Sequence, residues 1–380
     1  MKIADLKVVP VRNWVFVKIE TDEGLYGIGE ASLSGRNTAV IEVLQTHLSP
    51  LLIGQNATRI EHIWQDIFRG TFWRGGPVLQ SALAGIDIAL WDLNGKALGV
   101  PVYRLLGGLC RERVLLYRHL GDATPEEAVE QARQWLSEGW KVLRICPVGP
   151  ARGIFDATEA TRQAVTYFEA LRKGIGDEPE VILEVHTRMT PAQAIALCNA
   201  VAPFRPMYVE DPIRPENPAS YALLRQHTNV PLGTGELLTN KWAFRELIEQ
   251  DLVDYLRVDI CHAGGITEGK KIAAMGEVHY QELALHYTAS WVSATAMMHL
   301  NAAVPNCAVQ EFNPPPQWLS EVVLHPPKVE QGHLIPSDTP GLGIDLDEEA
   351  AAAHPFRDGE RPTHGSSICL RRADGSVTDW

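Results

Sequence analysis

The chain has 380 residues, with 47 acidic against 34 basic side chains and a net charge of −13. That length suits one barrel-sized domain of ~250 residues plus a smaller one. The acidity argues against a uniformly basic nucleic-acid surface. No apolar run reaches the ~18 residues a membrane span needs, and the N-terminal stretch lacks the apolar core of a signal peptide. Cys110, Cys146, Cys198, Cys261, Cys307 and Cys369 form no CxxC pair and no disulfide framework, so the expectation is reduced thiols in a soluble, cytoplasmic α/β protein.

The first segment reads as an antiparallel meander. Val15 to Glu20 alternates towards a turn at Thr21-Asp22-Glu23-Gly24, and Leu25 to Ala31 returns. Helical patterns follow at about 38–52, 60–68 and 78–98, the last opened by Pro77 after Gly75-Gly76. From Val114 onward the pattern changes to short apolar strands alternating with amphipathic helices. Thr124-Pro125-Glu126-Glu127 is a capping box, and Thr190-Pro191-Ala192-Gln193 repeats the same grammar directly after the strand Val181 to Val185.

Strand ends are expected near Glu184, Glu210, Glu236, Asp259, His286 and Glu311, at intervals of 26, 26, 23, 27 and 25 residues. With strands at 114–119 and 142–146 in front, eight strands can be counted. A (β/α)8 barrel therefore fits better than a doubly wound sheet, which would need a glycine-rich nucleotide loop after its first strand. The one long gap, from Arg144 to Glu184, holds a Gly/Pro loop and a helix at about 158–172.

Barrel active sites lie at the C-terminal ends of the strands, and here acids occupy those ends. One acid in such a place often belongs to the first turn of the next helix. Glu184, Glu210 and Glu236 on successive strands would repel one another strongly unless a cation lies between them. Oxygen-only ligands favour a hard ion such as Mg²⁺. His286 ends the strand after Asp259, and an adjacent Asp–His pair orients a ring for service as a general base. His186 follows Glu184 by two residues and points to the same side if the strand persists. His119, His262 and His299 are read as structural, as are Trp291 and the pair Met297-Met298.

Several longer stretches then converge. They are Lys18-Ile-Glu-Thr-Asp-Glu-Gly24, Trp73-Arg-Gly-Gly-Pro77 and Ala84-Gly-Ile-Asp-Ile-Ala-Leu-Trp-Asp-Leu-Asn-Gly-Lys96, followed by His262-Ala-Gly-Gly-Ile-Thr-Glu268, Gly341-Leu-Gly343 and Ser376-Val-Thr-Asp-Trp380. In this order, nearly end to end, the chain resembles the enolase superfamily in its mandelate racemase branch, and is most similar to the galactonate dehydratase group of sugar-acid dehydratases.

The resemblance implies a modified TIM barrel, residues 114–339, under an α+β capping domain built from residues 1–113 and a tail, 340–380. Loops at 31–37 and 70–77 of the cap would shape specificity. It implies a Mg²⁺ ion held by Glu184, Glu210 and Glu236, a His286–Asp259 base dyad, and His186 as the acid for a departing hydroxyl. Glu311 would hydrogen-bond the developing oxyanion, a role that suits a protonated carboxyl. Arg144 and Arg188 would bind the substrate. A homo-oligomer is implied, with octamers common in the group, and no nucleic-acid or membrane partner.

The expected reaction is dehydration of an aldonate to a 2-keto-3-deoxy acid. Epimerisation, racemisation or cycloisomerisation through the same enediolate is the alternative, and a degenerate member that only binds a sugar acid is the third reading. Three departures from the group stand out. Glu184 stands where aspartate is usual. Arg144 and Cys146 stand where racemases carry lysines. His286-Tyr-Thr-Ala-Ser-Trp291 and the Leu-Leu-Thr run after Glu236 replace the segments common in galactonate dehydratases.

Overall fold

The structure, a computed structural model, describes residues 1–121, 124–147, 153–287, 290–357 and 370–379. Cys369, Trp380, the core of the Gly/Pro loop and Thr288-Ala289 lie outside the described residues.

The meander is three-stranded. β1 (Ile3–Val11), β2 (Trp14–Thr21) and β3 (Tyr26–Glu30) pair antiparallel in that order. A helical segment at 37–52, whose middle is a π-turn at Val43–Leu48, precedes α1 (Ile60–Arg69) and α2 (Pro77–Leu98). Pro77 opens α2, and Gly99 closes it in the left-handed region that glycine favours. β3 lies directly on α2, with backbone against backbone. A Cβ at Gly29 would sit 2.1 Å from the Gly85 carbonyl oxygen, so only glycine permits this approach. Ile19, Val17, Leu44, Trp64, Ile86 and Leu90 fill the core of this cap.

The barrel strands are β4 (Val114–His119), β5 (Val142–Ile145), β6 (Glu180–Glu184), β7 (Val209–Glu210), β8 (Leu232–Thr234), β9 (Tyr255–Leu256), β10 (Glu282–Leu285) and β11 (Cys307–Glu311). All pair parallel in sequence order, and β11 closes onto β4 through Gln310–Leu116 and Glu311–Tyr117. Tyr117, Val142, Ile182, Tyr208, Ala284 and Val309 pack the interior, as expected for a filled barrel.

The intervening helices are α3 (Pro125–Ser137), α4 (Ala157–Ile175), α5 (Pro191–Val201), α6 (Pro218–His227), α7 (Lys241–Glu249), α8 (Gly265–Val278) and α9 (Trp291–Ala303). The Thr124 capping box forms in full. The Glu127 amide donates to the Thr124 hydroxyl at 3.3 Å, and the Thr124 amide donates to Glu127 at 2.8 Å.

The tail divides. Asp345–Leu346 pairs with Val323–Leu324, and the short helix Glu348–Ala352 rests on the cap through a Lys18–Glu348 ion pair and backbone bonds of His354 and Arg357 to Arg12. Leu370–Arg371 instead pairs with Gly153–Ile154, in the long loop after β5. Gly341 and Leu342 thread between cap and barrel. The Leu342 amide donates to Asp92 of α2 at 2.7 Å, and its carbonyl lies 3.0 Å from His299 of α9. A Cβ on Gly341 would fall 2.2 Å from Asp92 Oδ1. His299, Met297 and Met298 are buried core residues.

Candidate active site

The strand ends deliver the acids to one mouth, with two adjustments. Glu184, Glu210 and Glu311 are the last residues of β6, β7 and β11, whereas Glu236 and Asp259 stand on loops just beyond the short strands β8 and β9. β6 also stops at Glu184, so strand alternation does not place His186. That residue and Thr187 have positive φ, 52° and 59°. The chain folds back, letting the His186 amide donate to Glu184 Oε1 at 2.5 Å while its Nε2 comes within 3.7 Å of Glu184 Oε2. The other ring nitrogen, Nδ1, lies 3.3 Å from Cys146 Sγ.

One ligand oxygen from each of Glu184, Glu210 and Glu236 lies within 4.8 Å of the others. The longer Glu184 side chain therefore converges with its neighbours despite its extra methylene. Two guanidiniums thread the same cluster. Arg144 Nη1 donates to Glu184 at 2.7 Å and Glu210 at 2.6 Å. Arg257 Nη2 lies 3.0 Å from Glu210, 3.1 Å from Glu236 and 2.8 Å from Glu311, and its Nη1 donates to the Tyr117 hydroxyl at 2.6 Å. Arg188 is buried in the loop after β6.

Burial opposes ionisation of Glu210, but Arg257 and Arg144 outweigh it and hold the carboxyl at about 2. Glu311 is likewise held well below the usual range against its burial, by Arg257 and then His119, whose Nε2 lies 2.7 Å from Oε1. The protonated carboxyl expected at Glu311 is thus not what its surroundings favour, because a guanidinium abuts it. Burial, followed by repulsion from Glu210, pushes Glu184 well up.

His286 Nδ1 lies 2.6 Å from Asp259 Oδ2, so the dyad forms. Burial lowers the basicity of His286, but Glu236, Glu311 and Asp259 raise it to about 10. Its free Nε2 faces Glu236 at 3.7 Å. His262, read from sequence as structural, also reaches Asp259 Oδ2, at 3.2 Å.

Three side chains of this mouth escaped sequence reasoning as site residues: Arg257, His119 and His262. Arg257 follows β9 directly and precedes Asp259 by two residues, at a strand end of the kind that reads as functional in this fold. His119 ends the first barrel strand, a position that reads as functional in this fold.

Residues 4–107 match the mandelate racemase / muconate lactonizing enzyme N-terminal domain family, and residues 127–350 match the enolase C-terminal domain-like family. A D-mannonate dehydratase of Caulobacter sp. (strain K31) is 36% identical over 408 aligned residues, covering 100% of both chains. A D-galactonate dehydratase family member of Halomonas elongata is 36% identical, covering 98% of this chain and 97% of its own. Among solved structures, an enolase from Pantoea ananatis with bound D-gluconate and Mg matches with a TM-score of 0.94 at 36% identity, over 100% of this chain and 99% of that one. With both domains matched and full-length relatives above a third identical, the chain belongs to the enolase superfamily, in its mandelate racemase / muconate lactonizing enzyme branch.

Proposed function

We propose that this protein is a Mg²⁺-dependent sugar-acid dehydratase that removes the proton α to a carboxylate and expels the β-hydroxyl, giving a 2-keto-3-deoxy acid. The observation that carries the reading is the pairing, across one carboxylate cluster, of a histidine in an Asp dyad with a second histidine beside Glu184. One proton must leave C2 and another must reach the departing oxygen at C3, and two imidazoles flanking the metal ligands suit those tasks. Relatives named as mannonate and galactonate dehydratases support the reaction class.

The donor set suits the ion. Glu184, Glu210 and Glu236 offer only oxygen ligands, which favours a hard cation. The four carboxylates of the cluster, with Glu311, face two guanidiniums. With all four ionised, as ligation would require of Glu184, two negative charges are left over, the charge of one divalent cation. Held by Glu184, Glu210 and Glu236, the ion would supply positive charge at the cluster and offset the field that raises His286.

The residues of the chain then divide the work. His286 takes the C2 proton through Nε2, because Nδ1 is committed to Asp259. His186 gives a proton to the leaving hydroxyl. Arg144, fixed by carboxylates, offers its remaining N–H groups to substrate oxygens, while the fully buried Arg257 braces Glu210, Glu236 and Glu311 from below, and His119 stands beside Arg144 and Glu311.

The test is incubation of purified protein and Mg²⁺ with an aldonate and aldarate panel, scored for 2-keto product. A hit whose turnover survives His286→Asn unchanged removes His286 as the base. Deuterium uptake at C2 without dehydration would instead favour epimerisation. Chelation of the metal is expected to abolish turnover.

A further inference from the structure

We propose that His262 is a positioning residue whose two ring nitrogens meet Asp259 on one side and the Ser32 carbonyl on the other, and so ties the His286 dyad to the cap. The inference rests on the reading of His286 as the base.

The geometry leaves His262 little choice. Its Nε2 lies 3.2 Å from the backbone oxygen of Ser32, which can only accept, so Nε2 carries a hydrogen. Its Nδ1 lies 3.2 Å from Asp259 Oδ2. Asp259 is 1% exposed and His262 is 16% exposed at the side chain, so bulk water does not substitute for either contact.

Asp259 then becomes the meeting point of three nitrogens. Oδ1 accepts from the Cys261 amide at 2.7 Å, and Oδ2 is shared by His286 Nδ1 at 2.6 Å and His262 Nδ1 at 3.2 Å. The carboxylate cannot rotate without breaking one of these contacts, and its direction sets that of the His286 ring. Burial opposes ionisation of Asp259, and His262 and His286 beside it outweigh that and hold it below its ordinary range.

The other end of the contact lies in the cap. Ser32 follows β3 by two residues, and Glu30 at the end of β3 accepts from the Ser290 hydroxyl and the Ser293 amide at the start of α9. A single cap segment, Glu30 to Ser32, therefore holds both the loop after Asp259 and the loop after His286. The position of the cap is transmitted to the base through His262 rather than through substrate alone.

Two substitutions separate the contacts. His262→Asn places an amide nitrogen near the ring Nδ1 position and keeps the Asp259 contact. His262→Gln places one near Nε2 and keeps only the Ser32 contact. With a substrate found by the panel above, Gln is expected to lower kcat roughly tenfold with KM within about twofold, the scale seen when an orienting partner of a functional histidine is lost. Asn is expected to stay within about threefold of wild type. Equal kcat loss in both variants, or no loss in either, overturns the proposal. Nitrogen NMR on the histidine-labelled full chain without metal is independent of activity. A ring Nε2–H signal of His262 protected from solvent exchange is expected, and its absence overturns the proposal. If no sugar acid is turned over, the dehydratase reading fails while the NMR result still decides this one.

Discussion

The mouth of the barrel and the seam between cap and barrel both bury carboxylates, but they treat them differently. At the mouth, Glu210 and Glu311 are bonded to guanidiniums and held below the ordinary range. At the seam, Glu30 accepts from a serine hydroxyl and a backbone amide, and Asp87 of α2 accepts from the Thr267 amide of α8 at 2.9 Å. Burial pushes Glu30 up and takes Asp87 to about 7. Burial alone would raise all four, so the partner decides the outcome. A guanidinium offsets desolvation and leaves an anion that can ligate. Amide and hydroxyl dipoles do not, and leave a neutral group that only bridges. Glu184 is the exception: Arg144 reaches it at 2.7 Å, but burial and repulsion from Glu210 outweigh that one guanidinium, and it is pushed up.

The largest way to break this contrast is Arg257→Leu. It leaves Glu210, Glu236 and Glu311 without their shared cation, and removing one partner of a buried pair costs about 3–5 kcal/mol. Urea unfolding of the metal-free protein should show a loss of this size. An unchanged midpoint would mean the guanidinium does not hold the mouth together.

The seam predicts a pH dependence of opposite sign. Asp87 is about 7 when folded against an ordinary 3.8, so its contribution is present below pH ~4 and is lost as pH rises through ~7. The difference amounts to about 4 kcal/mol. Glu210, at about 2 against 4.5, stabilises above its ordinary value and loses that contribution as pH falls. Unfolding midpoints of Asp87→Asn should be flatter than wild type between pH 4 and 7. A wild-type slope retained in Asp87→Asn would assign it elsewhere.

The smallest effect sharpens the contrast. Glu30→Gln replaces a carboxyl that burial already favours as neutral, so stability at neutral pH should shift by no more than about 1 kcal/mol. A thermal melt that drops as far as in Arg257→Leu would mean Glu30 works as an anion, like the acids of the mouth.

The sequence carried the strand ends because each acid follows an apolar run at a barrel repeat, and the structure brings Glu184, Glu210, Glu236, Asp259 and His286 to one mouth. Its limits have physical causes. His186 sits past the end of β6 on a positive-φ turn, which no alternation rule anticipates. Arg257 went unread because a buried guanidinium is legible only with its three carboxylate partners, which come from the ends of three other strands or the loops just beyond them. His262 gains its meaning from Ser32, 230 positions away.

The thread of Gly341 and Leu342 between cap and barrel also has a consequence for synthesis. Asp92 is fully buried in α2 and takes one of its donors from Leu342, 250 residues later. At a translation rate of ~5–20 residues per second, roughly 10 to 50 s separate the two on the ribosome. The cap, made first, must therefore hold an incompletely satisfied acid until nearly the whole barrel has emerged. The segment made earliest is among the last to reach its final hydrogen bonding.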